Sequence, residues 1–226
     1  MRAMILAAGR GQRMHPLTDH CPKPLLRVGD KPLIVYHIEA LAKANIREIV
    51  INLAYLGAQI ETTLGQGERW GVNLKYSHED PVLETAGGIV KALPLLGPGP
   101  FWVVNGDIWT HYDFSHFTMA SFSLAHLILV ENPPHHPAGD FGLNEKQQIV
   151  WPALSQPTFT YSGMGVFHPA FFQDLDISSR RLGPLLQQGG AAGKISGEYF
   201  TGPWTDVGTP ERLMQLDNHL KLKNAV

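Results

Sequence analysis

Leu6-Ala7-Ala8-Gly9-Arg10-Gly11-Gln12-Arg13-Met14-His15-Pro16-Leu17-Thr18, with Cys21-Pro22-Lys23-Pro24-Leu25 just behind it, is the stretch that decides the fold. The apolar run Ala3 to Ala8 reads as a buried first strand. Small residues and Gly9 let the backbone turn at the strand's carboxyl end, and Gly11 repeats that freedom. Backbone N–H groups exposed in such a loop can form a concave anion site. Arg13 adds a planar fork suited to phosphate, and Lys23 a compact point charge. Pro16, Pro22 and Pro24 stiffen the return path and predict an extended rather than helical loop. Together these residues describe a triphosphate cradle.

The same residues resemble the signature L-A-A-G-x-G-x-R-M-x-P-L-T…P-K-P-L of the sugar-1-phosphate nucleotidyltransferases. That resemblance implies an α/β fold, a Rossmann-like three-layer α/β/α sandwich on a mixed sheet, of the glycosyltransferase-A-like nucleotidyltransferase kind. It also implies that Ala8, Gly9, Gly11, Gln12, Arg13 and Lys23 bind nucleotide, with Arg13 and Lys23 as the catalytic cations. A dinucleotide-binding G-x-G-x-x-G is absent, since Met14 holds the last position.

Composition sets the outer limits. A chain of 226 residues suits one α/β domain, with residues 1–110 as a nucleotide-binding half and 111–226 as a sugar-binding half. Lys plus Arg is 18 and Asp plus Glu 20, a net charge of −2, which argues against a nucleic-acid or anionic-membrane partner. The single cysteine fits a reducing cytoplasm, and no signal peptide or membrane-length apolar run is visible.

Along the chain, the spacing predicts a helix over Lys31–Ala44, with Ile34, Ile38, Leu41 and Ala42 on one stripe. A buried strand over Glu48–Leu53, a helix over Tyr55–Leu64 and a strand over Val72–Ser77 follow. Asn52 at a strand end suits either a contact to base or sugar or a turn role. Leu83-Glu84-Thr85-Ala86-Gly87-Gly88 opens a helix to about Leu96, with free N–H groups expected to point outward. The resemblance assigns Glu84, Thr85, Gly87 and Gly88 to base and ribose; an ordinary Thr cap with packing glycines is the bland reading.

Phe101-Trp102-Val103-Val104 reads as a central strand that stops at Asn105-Gly106-Asp107. Ligands of open α/β sheets sit beyond such strand ends, and a carboxylate there suits Mg²⁺. Asp113–Phe117 predicts one capped turn, and Leu124–Val130 another buried strand. The loop Asn132 to Gly142 carries His135 and His136, read as solvated rather than zinc-binding, and Asp140, which can bind sugar hydroxyls. Leu143–Val150 predicts a hairpin turning at Asn144-Glu145. Larger relatives clamp the sugar phosphate with the lysine of a Glu-Lys-Pro triplet. Here Glu145-Lys146-Gln147 lacks the proline, leaving Lys194 and Arg181 as substitutes.

The strand Pro157–Phe167 carries Ser162-Gly163-Met164-Gly165, which resembles the family's sugar-pocket segment and, with Asn105 and Asp140, places Gly163 in the sugar site. Short helices over Pro169–Leu175 and Leu182–Ala191 and a strand over Lys194–Tyr199 complete the second half. Trp204-Thr205-Asp206-Val207-Gly208-Thr209-Pro210 resembles the family's W-x-D-[VI]-G-T-P, making Asp206 the second metal carboxylate beside Asp107, ahead of a helix to about Lys221.

The implied reaction joins a nucleoside triphosphate, UTP, to a sugar 1-phosphate and releases pyrophosphate, with Mg²⁺ as cofactor and a monomer as the working unit. Within the family the resemblance is closest to the N-acetylmuramate α-1-phosphate uridylyltransferases of cell-wall recycling. Mannose- or glucose-1-phosphate nucleotidyltransferases and a non-catalytic nucleotide-sugar sensor are the alternatives.

Overall fold

The computed structural model describes residues 1–116, 119–153, 157–178 and 180–224. In chain order come β1 (Arg2–Leu6), β2 (Arg27–Val28), β3 (Lys31–Pro32), α1 (Leu33–Lys43), β4 (Glu48–Leu53), α2 (Gly57–Leu64) and β5 (Asn73–His78). Next are α3 (Thr85–Leu96), β6 (Phe101–Asn105), β7 (Ile108–Thr110), β8 (Ala125–Val130), β9 (Phe141–Leu143) and β10 (Ile149–Val150). Then follow β11 (Thr158–Phe167), α4 (Leu182–Ala191), β12 (Ile195–Tyr199), β13 (Trp204–Asp206) and α5 (Pro210–Asn224).

A nine-stranded mixed sheet forms the middle layer. β5, β4, β1 and β6 run parallel, in that order, so their carboxyl ends share one edge. β11 runs antiparallel between β6 and β8, and β12 pairs parallel with β8. β8 therefore points the same way as β6, and its carboxyl end reaches the same edge.

Alternation along the strands builds the two outer layers. Ala3 and Ile5 of β1 face Ile34, Ile38 and Leu41 of α1 and Ile60 of α2. Met4 faces the other way, onto Ile89 of α3 and Leu186 of α4. Phe101, Trp102, Val103 and Val104 are all fully buried, as a strand covered on both faces requires. Helix α5 lies outside this sandwich, setting Leu216 and Leu220 against Met14, Val28, Trp109 and Val207.

Several expectations shift by local physics. The predicted helix from Lys31 starts at Leu33, because Lys31–Pro32 pairs with Arg27–Val28 first. The helix expected from Tyr55 starts at Gly57. The first loop is not wholly extended: Gln12–Met14 and Lys23–Leu25 each form one 3₁₀ turn. Proline's fixed φ suits the opening of such a turn, so Pro24 supports it. The hairpin turns over Asn144–Gln148, its Asn144 Oδ1 accepting from the amides of Lys146 and Gln148. The segment after Phe167 gives only a 3₁₀ turn, Pro169–Phe172. In the predicted turn from Asp113, the Ser115 amide donates to Asp113 Oδ1, and Phe117 lies outside the described residues.

Candidate active site

A cavity of about 490 Å³ opens at the shared edge of β1, β4 and β6. The chain from Leu6 to Met14 forms one wall, with Lys23 and Pro24 behind it. Val82–Thr85 forms another wall, and Asn105–Asp107 and Gly208 close the end. Ala8, Gly9, Gly11, Gln12, Arg13, Lys23, Glu84, Thr85 and Asp107 are thus brought together, and Asn105, assigned to the sugar, lines the same cavity. Gly11 has φ +66, and a Cβ there would press on Lys23 and Thr18 at 3.2 Å. It is the one residue type that makes this bend while the Lys23 stem lies against it.

Lys23 is buried, and its Nζ lies 2.7 Å from Oδ2 of Asp107. Arg13 is exposed at the mouth. Arg10, between the two loop glycines, also lines the cavity, with its guanidinium carbon 5.2 Å from the centroid of the Tyr55 ring.

Gly87 and Gly88 stand behind the cavity wall, where each is closely packed. A Cβ on Gly87 would stand 2.0 Å from the carbonyl oxygen of Ser178. One on Gly88 would stand 2.5 Å from Oε1 of Glu79. The first amides of α3 do not point outward, since Ala86 N–H donates to Arg180 O at 2.9 Å. Instead, this turn anchors a buried network: Asn52 Oδ1 accepts from Ala7 N–H at 2.8 Å, and its Nδ2 donates to Glu79 Oε1 at 2.8 Å. Glu79 Oε2 in turn accepts from Leu83 N–H at 2.8 Å. The Asn52–Glu79 pair therefore fixes the two facing cavity walls to each other. Glu79 escapes sequence reading because its buried side-chain partner, Asn52, lies far away in the chain on β4.

The second acid arrives by a short ribbon. β13 pairs antiparallel with β7, setting Asp206 opposite Ile108, and Val207 N–H donates to Asp107 O at 2.8 Å. Beneath the ribbon, His37 Nε2 donates to Ile108 O at 2.8 Å. Burial pushes the His37 imidazole down to about 4, against the opposing pull of that hydrogen bond and of Asp107. It is neutral near pH 7 and acts as a fixed donor.

Asp206 looks onto a second cavity, of about 1110 Å³, between the Val130–His135 segment, Tyr199–Gly202 and the start of α5. Arg212 Nη1 lies 2.7 Å from Oδ1 and from Oδ2 of Asp206. His135 Nε2 lies 3.1 Å from the same Oδ1, so this histidine is not simply solvated. Asp140 lines neither cavity described: its Oδ1 meets His136 at 3.0 Å and its Oδ2 accepts from Tyr161 N–H at 2.8 Å. Its carboxylate ties the loop to β11. Gly163, at φ +81, backs Asn105, whose Nδ2 would lie 2.7 Å from a Cβ there. Lys194 precedes β12 and so sits at the opposite edge of the sheet. Lys146 is exposed on the hairpin tip, and Arg181 Nε faces Glu84 Oε1 at 3.6 Å.

A nucleotidyl transferase family model matches residues 2–222. The chain belongs to that family. As a nucleotidyltransferase it has a relative in Neisseria meningitidis serogroup B, an N-acetylmuramate alpha-1-phosphate uridylyltransferase. The two are 50% identical over 222 residues, covering 95% of this chain and 96% of the relative. The mannose-1-phosphate guanylyltransferase catalytic subunit beta of Danio rerio is 28% identical over 229 residues. That match takes in 93% of this chain but only 62% of the relative's length. HddC from Yersinia pseudotuberculosis, solved with GMP-PN, shares the Rossmann-like α/β fold at a TM-score of 0.79 and 19% identity. That alignment covers 97% of this chain and 99% of HddC. The nucleotidyltransferase described here is a sugar-1-phosphate nucleotidyltransferase, with a nucleoside triphosphate and a sugar phosphate as its ligands.

Proposed function

We propose that this enzyme converts N-acetylmuramate α-1-phosphate and UTP to UDP-N-acetylmuramate and pyrophosphate. We place the reaction in cytoplasmic cell-wall recycling and read the working unit as a monomer. The observation that carries the reading is the 50% identity to the Neisseria uridylyltransferase across nearly the whole of both chains.

The cavity at the strand ends supports the chemistry. An oxygen of the sugar phosphate attacks the α-phosphorus of the triphosphate, and the bond from α-phosphorus to the bridging oxygen breaks. Pyrophosphate leaves with the electron pair. The attacking group is already an anion, so the protein needs no general base. Its task is to bring two polyanions into line. The Leu6–Met14 loop receives the triphosphate, with Arg13 at the mouth and Lys23 at the floor offsetting the charge on the leaving pyrophosphate. Glu84, Thr85 and Asn105 border the space left for base and ribose.

A divalent cation fits the donor set. Asp206 on β13 pairs with Ile108 of β7, next to Asp107, and the two acids offer hard oxygen ligands, each balanced by a protein cation, Lys23 or Arg212. Among the described residues no cluster of three or more His, Cys, Asp or Glu forms a full cage. An ion that shares its shell with phosphates needs no such cage, which is the habit of Mg²⁺. When bound, Mg²⁺ would draw charge from the phosphate oxygens.

The test is a grid of UTP, GTP, dTTP and ATP against N-acetylmuramate, N-acetylglucosamine, mannose and glucose 1-phosphates, scored by pyrophosphate release with Mg²⁺. The expected best pair is UTP with N-acetylmuramate 1-phosphate. A higher kcat/KM for GTP with mannose 1-phosphate overturns the specific assignment.

A further inference from the structure

We propose that Arg212 is the clamp for the anomeric phosphate of the acceptor sugar, and that the second cavity, beside Asp206, is the acceptor's seat. The inference deepens the function proposed above and rests on the acceptor's being a sugar 1-phosphate.

Three observations carry it. First, the cations that sequence reasoning offered for this role stand elsewhere. Lys146 is on an exposed hairpin tip and Lys194 at the far edge of the sheet, while Arg181 faces Glu84 on the first cavity's wall. Second, Arg212 stands where the two cavities meet. Gly208 lines the first cavity, while Asp206, Thr209 and Arg212 line the second. A phosphate linking a sugar in one to a nucleotide in the other must cross that wall. Third, the wall is shaped to admit the guanidinium. A Cβ on Gly208 would stand 2.0 Å from Nη2 of Arg212 and 3.0 Å from Oδ2 of Asp206. Only glycine lets the arginine lie across the backbone at this point.

The chemistry of the group matches the task. Arg212 meets both oxygens of Asp206 and the His135 ring through Nη1 alone. A guanidinium presents several donors in one plane and grips phosphate through two of them at once. The arginine is 17% exposed, so its charge is only partly screened by water. His135, on the loop after β8, borders the same seat and limits how far the side chain can swing. The cavity, about 1110 Å³, has room for an N-acetylated hexose bearing an ether-linked acid. Trp204, Tyr199 and Phe200 supply apolar walls for the ring faces of a sugar.

Initial rates test the proposal, with UTP and either N-acetylmuramate 1-phosphate or N-acetylglucosamine 1-phosphate, for wild type, Arg212→Ala and Arg212→Lys. Loss of a charged hydrogen-bond donor predicts a KM for the sugar phosphate raised roughly 10–100-fold in Arg212→Ala. The KM for UTP stays within about twofold, and Arg212→Lys recovers part of the loss. The factor is the same for both sugars, because both carry the anomeric phosphate. A loss confined to the muramate overturns the assignment, since the guanidinium would then grip the acidic ether. Equal rises in both KM values, or a change only in the Mg²⁺ concentration for half-maximal rate, also overturn it and leave Arg212 as a support for Asp206. If wild type releases no pyrophosphate with any sugar 1-phosphate, the functional reading fails and the clamp falls with it. Activity in wild type with an unchanged sugar-phosphate KM in Arg212→Ala fails the clamp alone.

Discussion

Nζ of Lys23 lies 2.7 Å from Oδ2 of Asp107, joining the phosphate loop to the end of β6 across 84 residues of chain. The lysine side chain is 9% exposed and the aspartate 38%. The cation is therefore held in place by its buried stem, while the carboxylate keeps an open side toward the cavity. Lys23→Met keeps the stem and removes the charge. Turnover is expected to fall by about 10²–10³. The melting temperature should move little, because water reaches the partner acid and exposed pairs contribute about 0–1 kcal/mol. Steady-state rates beside a thermal melt check both halves; wild-type turnover would show that the charge has no part in the reaction.

Removal of divalent cations should silence the enzyme reversibly. Chelation is expected to abolish pyrophosphate release, and added Mg²⁺ to restore it. Asp107→Ala and Asp206→Asn should each remain folded by circular dichroism while turnover drops by at least about 10². Turnover within a few-fold of wild type in either variant would dismiss the metal assignment.

Gly87→Ala tests the glycine pair as packing residues. The new Cβ would meet the Ser178 carbonyl oxygen at 2.0 Å, and backbone yields less readily than a flexible side chain. Overpacking of this kind costs about 1–3 kcal/mol. In a protein of this size that lowers the melting temperature by roughly 2–4 °C per kcal/mol. A variant with an unchanged melting temperature but a raised KM for UTP would return Gly87 to the ligand.

His37 makes stability depend on pH. Its folded value, about 4, lies below the ordinary 6.5 because of burial. Below pH 6.5 the unfolded chain takes up a proton that the folded one refuses, so stability falls as pH drops toward 4. Between pH 7 and 5 this group alone removes about 2 kcal/mol. Urea unfolding at both pH values should show a smaller loss in His37→Gln than in wild type. Equal losses would mean that the imidazole is protonated within the fold.

The first loop and the strand ending at Asp107 were legible in the sequence for a local reason. Gly9, Gly11 and the buried run from Phe101 carry their constraints within a few residues. The packing around Gly87 and Gly88 was hidden, because a glycine that admits a ligand and one that admits a carbonyl look alike in sequence. The neighbours that pack against them, Ser178 and Glu79, lie in loops outside α3. β7 and β13 are three residues each, too short to show a period, so the ribbon joining the two acids was hidden. Arg212 was overlooked for the same reason, as its place depends on where that ribbon puts Asp206. The hydrogen bonds that tie Asp140 to His136 and to β11 were not legible from its neighbours in the sequence.

The β7–β13 ribbon also divides the two acids of the proposed ion-binding pair between distant stretches of chain. A nascent chain that has emerged through Tyr199 already holds every strand of the large sheet, and with it the walls formed by β1, β4 and β6. It lacks Asp206, and so has half of the proposed ion-binding pair. A chain cut after Tyr199 therefore keeps the strand-end walls of the first cavity but loses Asp206, Gly208 and Arg212 together.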